Sequence, residues 1–201
     1  MADSDGVRAP RADAARNREK LLDATSALVA EKRGELSLAA VAERAGVGIG
    51  TLYRHFPSRD ALLAGLYRNE VARLHGAAAR LARELPPLEA LTAWLERYAA
   101  LMAVKYGFAD AMKSALNSDA KVFSESRAEL AAALSALIGA AADAGLVRRD
   151  IDPEDVLMAV AASISASLNR EDSQARGQRL LRLIIDGLRF RTDDPAAEAR
   201  G

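Results

Sequence analysis

No acidic residue falls between Glu43 and Asp60, and that interval carries Ile49, Gly50, Thr51, Tyr53, Arg54 and His55, followed by Arg59. Hydroxyls, a phenol, guanidinium groups and an imidazole on an acid-free surface suit a polyanion, and an aliphatic chain among them suits an apolar contact on the same partner. Pro57 breaks the helix these residues occupy, and Ser58 can cap the next one. Arg59 then sits at a helix N-terminus, where free backbone N–H groups and the helix dipole favour a phosphate. The alternative is a helical small-molecule-binding protein or enzyme whose basic hairpin is incidental and merely solvated.

Enzymatic chemistry finds little to work with. The chain has no cysteine, which excludes disulfides, thiolate nucleophiles and zinc-thiolate sites, and its only histidines are His55 and His75. No spacing typical of a metal site occurs, so we expect no metal, no cofactor and no catalytic residue. Asp110 and Glu125 could pair as carboxylates, but nothing in the sequence joins them.

The elements that position the basic stretch read as helices. Ser37 can cap a short helix in which Leu38, Val41, Ala42 and Ala45 recur at helical spacing, and Gly46 can end it in the left-handed region. A second short helix follows from near Gly48 to about Phe56. Leu52 and Phe56, one turn apart, form its buried side. A first helix, from about Ala14 to Lys32, braces this pair with Leu21, Leu22, Thr25, Leu28 and Val29, and Gly34 follows its end. Arg16, Arg18 and Lys20 give its start a positive bias that serves either phosphates or solubility.

The run AERAGVGIGTLYRHFPSRDALL resembles the signature of the TetR family of bacterial transcriptional regulators, over about Asn17 to Leu66. The resemblance implies an all-α protein of about nine helices, with a three-helix helix-turn-helix head that binds operator DNA and a helical domain for ligand binding and dimerisation. It implies a repressor released from its operator by a small ligand. On that resemblance Ser37, Thr51, Tyr53, His55 and Arg59 occupy positions that hold the DNA backbone, while Ile49, Gly50 and Thr51 approach base edges. Ala39, Gly48 and Gly50 cannot hydrogen-bond a base through a side chain, so Ile49 on a thymine methyl, groups from Thr51, Tyr53 and Arg54, and DNA shape must carry specificity.

Beyond the head, a fourth helix from Ser58 to about Leu85 carries Leu63, Tyr67, Leu74, Ala78, Leu81 and Leu85 and stops at Pro86 and Pro87. At the standard rise it spans about 40 Å, enough to link head and body. The family's hinge logic makes it the mechanical link. A fifth helix places Leu88, Leu91, Leu95, Tyr98 and Met102 on one face with Trp94 at its edge, and a short segment then ends near Leu116. Trp94, Tyr98, Met102, Tyr106, Phe108, Met112 and Phe123 can line an apolar ligand pocket, or can be ordinary core. The expected effector is therefore small and mainly apolar.

Leu130, Leu134, Leu137 and Ile138 mark another helix that ends at Gly145. Asp152 and Pro153 begin the next, with Leu157, Val160, Ile164 and Leu168 on one side and Ala159, Ala162, Ser163 and Ala166 elsewhere. Gln174 to Arg189 forms the last, with Leu181, Ile184, Ile185 and Leu188. These last two helices carry more apolar surface than one thin layer covers, which predicts a homodimer through them as a four-helix interface.

The expected division is residues 1–13 as a flexible arm whose Arg8 and Arg11 can touch DNA, 14–60 as the DNA-binding domain, 61–192 as the ligand-binding and dimerisation domain, and 193–201 as a flexible tail. Lys and Arg equal Asp and Glu at 28 each, so attraction to DNA must come from local charge placement. No apolar run reaches the roughly 20 residues needed to span a bilayer, and the first residues lack a signal-peptide core. A cytoplasmic protein, with no membrane partner, is expected.

Overall fold

The computed structural model describes residues 8–31, 36–108, 120–168 and 172–189. Within them the chain forms eight helices: α1 (Arg8–Glu31), α2 (Leu38–Ala45), α3 (Ile49–His55), α4 (Arg59–Glu84), α5 (Pro87–Gly107), α6 (Ala120–Asp143), α7 (Pro153–Ser167) and α8 (Ser173–Leu188). The expected short segment ending near Leu116, the terminal glycine Gly34, and the tail lie outside the described residues. The all-α class with a helix-turn-helix head holds. The chain divides into two units, residues 1–70 with 107–120, and residues 71–106 with 121–201; α4 runs through both.

In the first unit α1 begins at Arg8, six residues before the expected start. Pro10 falls in the first turn, where no backbone N–H is needed, so it does not break the helix. Farther along α1, Asp13 pairs with Arg16 across one turn. Leu21 and Leu22 are buried, as is Thr25, whose hydroxyl donates to the Leu21 carbonyl at 2.6 Å. Leu28 and Val29 are only half-buried. Leu36, Val41, Ala42, Leu52, Phe56, Leu62, Leu63, Leu66, Tyr67 and Phe108 are buried in this unit as well.

The second unit is built on α5 and α6. Leu91, Trp94, Leu95 and Met102 are buried on α5, and Leu130, Leu134, Leu137 and Ile138 on α6, with Leu74, Ala78 and Leu81 from the end of α4. Trp94 is fully buried rather than at an edge. Its indole N–H donates to the Leu74 carbonyl at 3.0 Å, which removes the penalty of burying that donor.

Gly145, at φ 69°, ends α6 with Gly145 N–H donating to the Ala142 carbonyl and Leu146 N–H to the Ala141 carbonyl, the two hydrogen bonds of a Schellman turn. Asp152 caps α7 through its carboxylate on Glu154 N–H at 2.8 Å, and Pro153 occupies the first helical position. α7 and α8 approach closely, since a β-carbon on Gly177 would lie 3.2 Å from Ile164 Cδ1. Val147 pairs with Arg189 in an isolated antiparallel bridge that ties down the end of α8.

Candidate nucleic-acid interface

The hairpin of α2 and α3 is set by local chemistry. Ser37 precedes α2 in extended conformation and its hydroxyl accepts from Ala40 N–H at 3.4 Å. At the far end Gly46 adopts φ 65°, ψ 35°, and its N–H bonds the Glu43 carbonyl while Val47 N–H bonds the Ala42 carbonyl. Only a residue without a β-carbon takes that turn readily. Gly48 then caps α3 without a side-chain bond, its carbonyl accepting from Thr51 and Leu52 N–H.

Leu52 is fully buried and Phe56 is buried at the C-cap of α3, and the rest of this short helix is left at least partly open to solvent. Ile49 and Tyr53, four residues apart, are 46% and 50% exposed and stand as neighbours one turn apart on α3. Gly50 and Arg54 are exposed, and Thr51 and His55 are half-buried. The six expected residues of α3 thus surround the one buried position, Leu52, each at least partly exposed.

Ser58 caps α4 by accepting Ala61 N–H at 3.1 Å, which leaves Arg59 as the first helical residue, exposed to solvent. Its guanidinium carbon lies 5.5 Å from the centre of the Phe108 ring. Ser37 and Arg59 therefore stand in the same unit as α3, each beside a helix N-terminus.

Not every cation of the head faces outward chemistry. Arg44 makes a two-pronged pair with Glu31, both N–H···O distances being 2.7 Å, and this hydrogen-bonded carboxylate raises the pKa of Arg44. The pair clamps the end of α1 to the end of α2. Arg18 lies 5.3 Å over the Phe56 ring and Arg16 pairs with Asp13, so two of the three early cations have partners within the unit. Sequence reading missed the Arg44 clamp and the Arg18 contact, whose only signal is the presence of opposite charge or an aromatic ring far along the chain. The side chains of Arg8 and Arg11 lie outside the described residues.

The seven residues offered for a ligand pocket separate. Trp94 and Tyr98 stack with centroids 5.8 Å apart and planes 9° from parallel, and the Tyr98 hydroxyl donates to the Leu157 carbonyl at 3.3 Å. With Met102 they form closed core in the second unit. Tyr106 is half-buried with the Lys105 ammonium 5.7 Å over its ring. Phe108 belongs to the first unit, beneath Arg59. Met112 and the side chain of Phe123 lie outside the described residues. A shallow groove of about 410 Å³ occurs elsewhere in the second unit, floored by Leu85, Leu88, Ala93 and Ile185 and edged by Glu89, Thr92, Glu96 and Arg189. Sequence reading passed over it because its wall combines α5 with the last helix.

Among the described residues no helix is long and apolar enough to cross a membrane, and no group of three or more His, Asp or Glu side chains is placed to hold a metal ion.

Residues 21–66 match the family described as bacterial regulatory proteins, tetR family, and residues 86–190 match the C-terminal domain of SbtR-like transcriptional regulators. The TetR transcriptional regulator SCO0520 of Streptomyces coelicolor is 44% identical, over 86% of this chain and 98% of its own, with a TM-score of 0.73. A TetR transcription regulatory protein of Mycobacterium vanbaalenii is 33% identical, over 90% of this chain and 99% of its own, with a TM-score of 0.64. The HTH-type transcriptional repressor KstR of Rhodococcus jostii (strain RHA1) is 47% identical over 58 residues, 28% of this chain and 27% of the repressor, so the match spans about a quarter of that relative. With both its head and its C-terminal part matched, the chain belongs to the TetR family of bacterial transcriptional regulators.

Proposed function

We propose that the protein is a dimeric, cytoplasmic repressor that holds operator DNA through α3 and the start of α4 and lets go when a small, mainly apolar ligand binds in the second unit. The observation that carries the DNA reading is the exposed, acid-free surface of α3. Ile49, Gly50, Tyr53 and Arg54 are exposed and Thr51 half-exposed on a helix free of acidic residues, with buried Leu52 and Phe56 holding that helix in place. Ser37, His55 and Arg59 complete the backbone-holding set. Phosphate contacts of this kind position a protein on DNA, and the few groups at base edges specify the site.

For the ligand, the supporting observation is the cluster of Trp94, Tyr98 and Met102, large buried side chains gathered on one helix of the second unit. A ligand entering there must part the stacked rings, so binding reports on itself through the indole. α4 runs through both units and is the element able to pass that change to Arg59.

A salt-dependent, saturable mobility shift of DNA from the chain's own promoter region tests the first part. No shift there, nor on any duplex of a random library, rejects DNA binding in favour of a helical binding protein or enzyme. A panel of metabolites, screened by thermal shift and by Trp94 fluorescence, tests the second. Apolar compounds should change both signals and release the DNA; tight binding of a highly charged compound alone rejects the pocket.

A further inference from the structure

Arg54 bends back along its own helix. Its Nε donates to the Gly50 carbonyl at 3.3 Å, and Nη2 donates to the Thr51 hydroxyl oxygen at 3.2 Å. Two of its donors are therefore engaged within α3, and the plane of the guanidinium is held at two points, three and four residues upstream.

The larger consequence falls on Thr51. A hydroxyl has one hydrogen to give and two lone pairs to receive with, and here a cation occupies one of the lone pairs. That charge-assisted bond draws electron density from the oxygen and strengthens the O–H as a donor. A threonine within a helix often turns its hydrogen onto a carbonyl one turn back, but the Thr51 hydrogen has no acceptor among the described residues. Gly50 beside it carries no side chain, and the space where its β-carbon would stand is open for 4 Å. The hydroxyl is thus polarised, on a half-buried residue beside open space at Gly50.

We propose that Arg54 is a positioning residue for sequence recognition: it holds the Thr51 hydroxyl as a hydrogen-bond donor toward an acceptor on a base edge in the major groove, and is not itself a phosphate anchor. The inference rests on the reading of α3 as the DNA-facing helix. Acceptors of this kind are the N7 of either purine, guanine O6 and thymine O4, so Thr51 would favour purines or thymine and disfavour cytosine, which offers only an amino donor there.

The experiment begins with the full chain selecting its preferred duplex from a random library. If the unmodified protein selects none, the DNA reading itself fails, which separates that failure from failure of the inference. Thr51→Val, Thr51→Ser, Arg54→Ala and the Thr51→Val/Arg54→Ala pair are then titrated on the selected duplex and on a scrambled one at several salt concentrations. Thr51→Val should lose roughly tenfold on the selected duplex and little on the scrambled one. Thr51→Ser, which keeps the hydroxyl, should stay near the parent. Arg54→Ala should lose severalfold of the same discrimination, the double variant should be no worse than Thr51→Val alone, and the salt slope should be unchanged throughout. Weaker binding to both duplexes, with a slope shallower by about one for each phosphate that Arg54 had neutralised, would make Arg54 a phosphate anchor and overturn the inference. Independent, multiplying losses would overturn it as well, as would equal weakening of the two duplexes in Thr51→Val, which would assign the hydroxyl to a phosphate.

Discussion

A β-carbon on residue 65 would stand 2.6 Å from Cε1 of Phe56, so the ring of Phe56 occupies the space that the glycine leaves on α4. Glycine inside a helix costs about 1 kcal/mol against alanine, and Gly65 lies well within α4. Its place is explained by the ring, which is buried at the C-cap of α3 with Arg18 over its face. Phe56 thereby anchors the end of the candidate recognition helix to two other helices. Gly65→Ala should destabilise the protein by about 1–3 kcal/mol, because overpacking a rigid buried ring outweighs the gain in helix propensity. Chemical unfolding measures this. A stabilised Gly65→Ala protein would show that Phe56 yields without strain.

What could be read from the sequence is what depends on near neighbours. Ser37, Gly46, Ser58, Asp152 and Gly145 act on backbone groups within a few residues, and each makes the cap its type and place foretell. The burial of Leu52 and Phe56 against exposed Ile49 and Tyr53 could not be read from period alone, because spacing of i, i+3, i+4 and i+7 puts all four on one side of α3 and only the packing of the short helix divides them. Gly65 could not be explained from its surroundings in the chain, because its reason is a ring on another helix. The same holds for Trp94, whose full burial depends on a carbonyl of α4. Nor does a sequence say which arginines of a basic surface are already engaged. Arg44 meets Glu31 across thirteen residues, and Arg54 meets Thr51 only in one of its many side-chain conformations.

The surface expected to join two copies is open on the side that Met158 and Leu183 mark. They are 60% and 68% exposed, on α7 and α8 respectively, whereas Ile164 is buried against Gly177 inside the protomer. The two kinds of position should respond differently to charge. Met158→Asp with Leu183→Asp should give folded monomers by light scattering, with operator affinity sharply reduced, since two linked heads bind far more tightly than one. Ile164→Asp should unfold the chain instead. A dimer that survives the Met158 and Leu183 changes would place the interface elsewhere.

Burial of the Lys105 ammonium, aided by repulsion from the Arg127 guanidinium, lowers its pKa below the ordinary 10.5 of lysine. Such a lysine binds fewer protons in the folded state than in the unfolded one at pH values between its two pKa values. Stability therefore rises with pH across that window, and at neutral pH the charged group is a standing burden on the fold. Lys105→Met should raise the unfolding midpoint at neutral pH, and its advantage should shrink as pH climbs toward 10.5. Thermal unfolding of both proteins over that range checks the sign. A difference that does not vary with pH would show that the change acts through packing alone.

Arg59 and Ile49 should separate affinity from specificity. The Arg59 guanidinium rests over the buried Phe108 ring, an arrangement that keeps its charge and narrows its conformations before any DNA arrives. Ile49 presents an exposed aliphatic chain on α3 suited to a thymine methyl. Arg59→Ala should weaken binding to all sequences and make the slope of log affinity against log salt shallower by about one for each phosphate left without its cation. Phe108→Leu keeps the charge but removes the ring, so it should weaken all duplexes by roughly twofold to fivefold while leaving the slope alone. Ile49→Ala should also leave the slope alone, costing about 1 kcal/mol at sites with thymine opposite it and less where that thymine is replaced. If two copies bind as a symmetric pair, the selected sequence should itself be a pseudo-palindrome. Titrations at several salt concentrations, on selected and scrambled duplexes, decide among these roles. If Arg59→Ala changes sequence preference alone, or Ile49→Ala weakens every duplex equally, the division of labour along this surface is wrong.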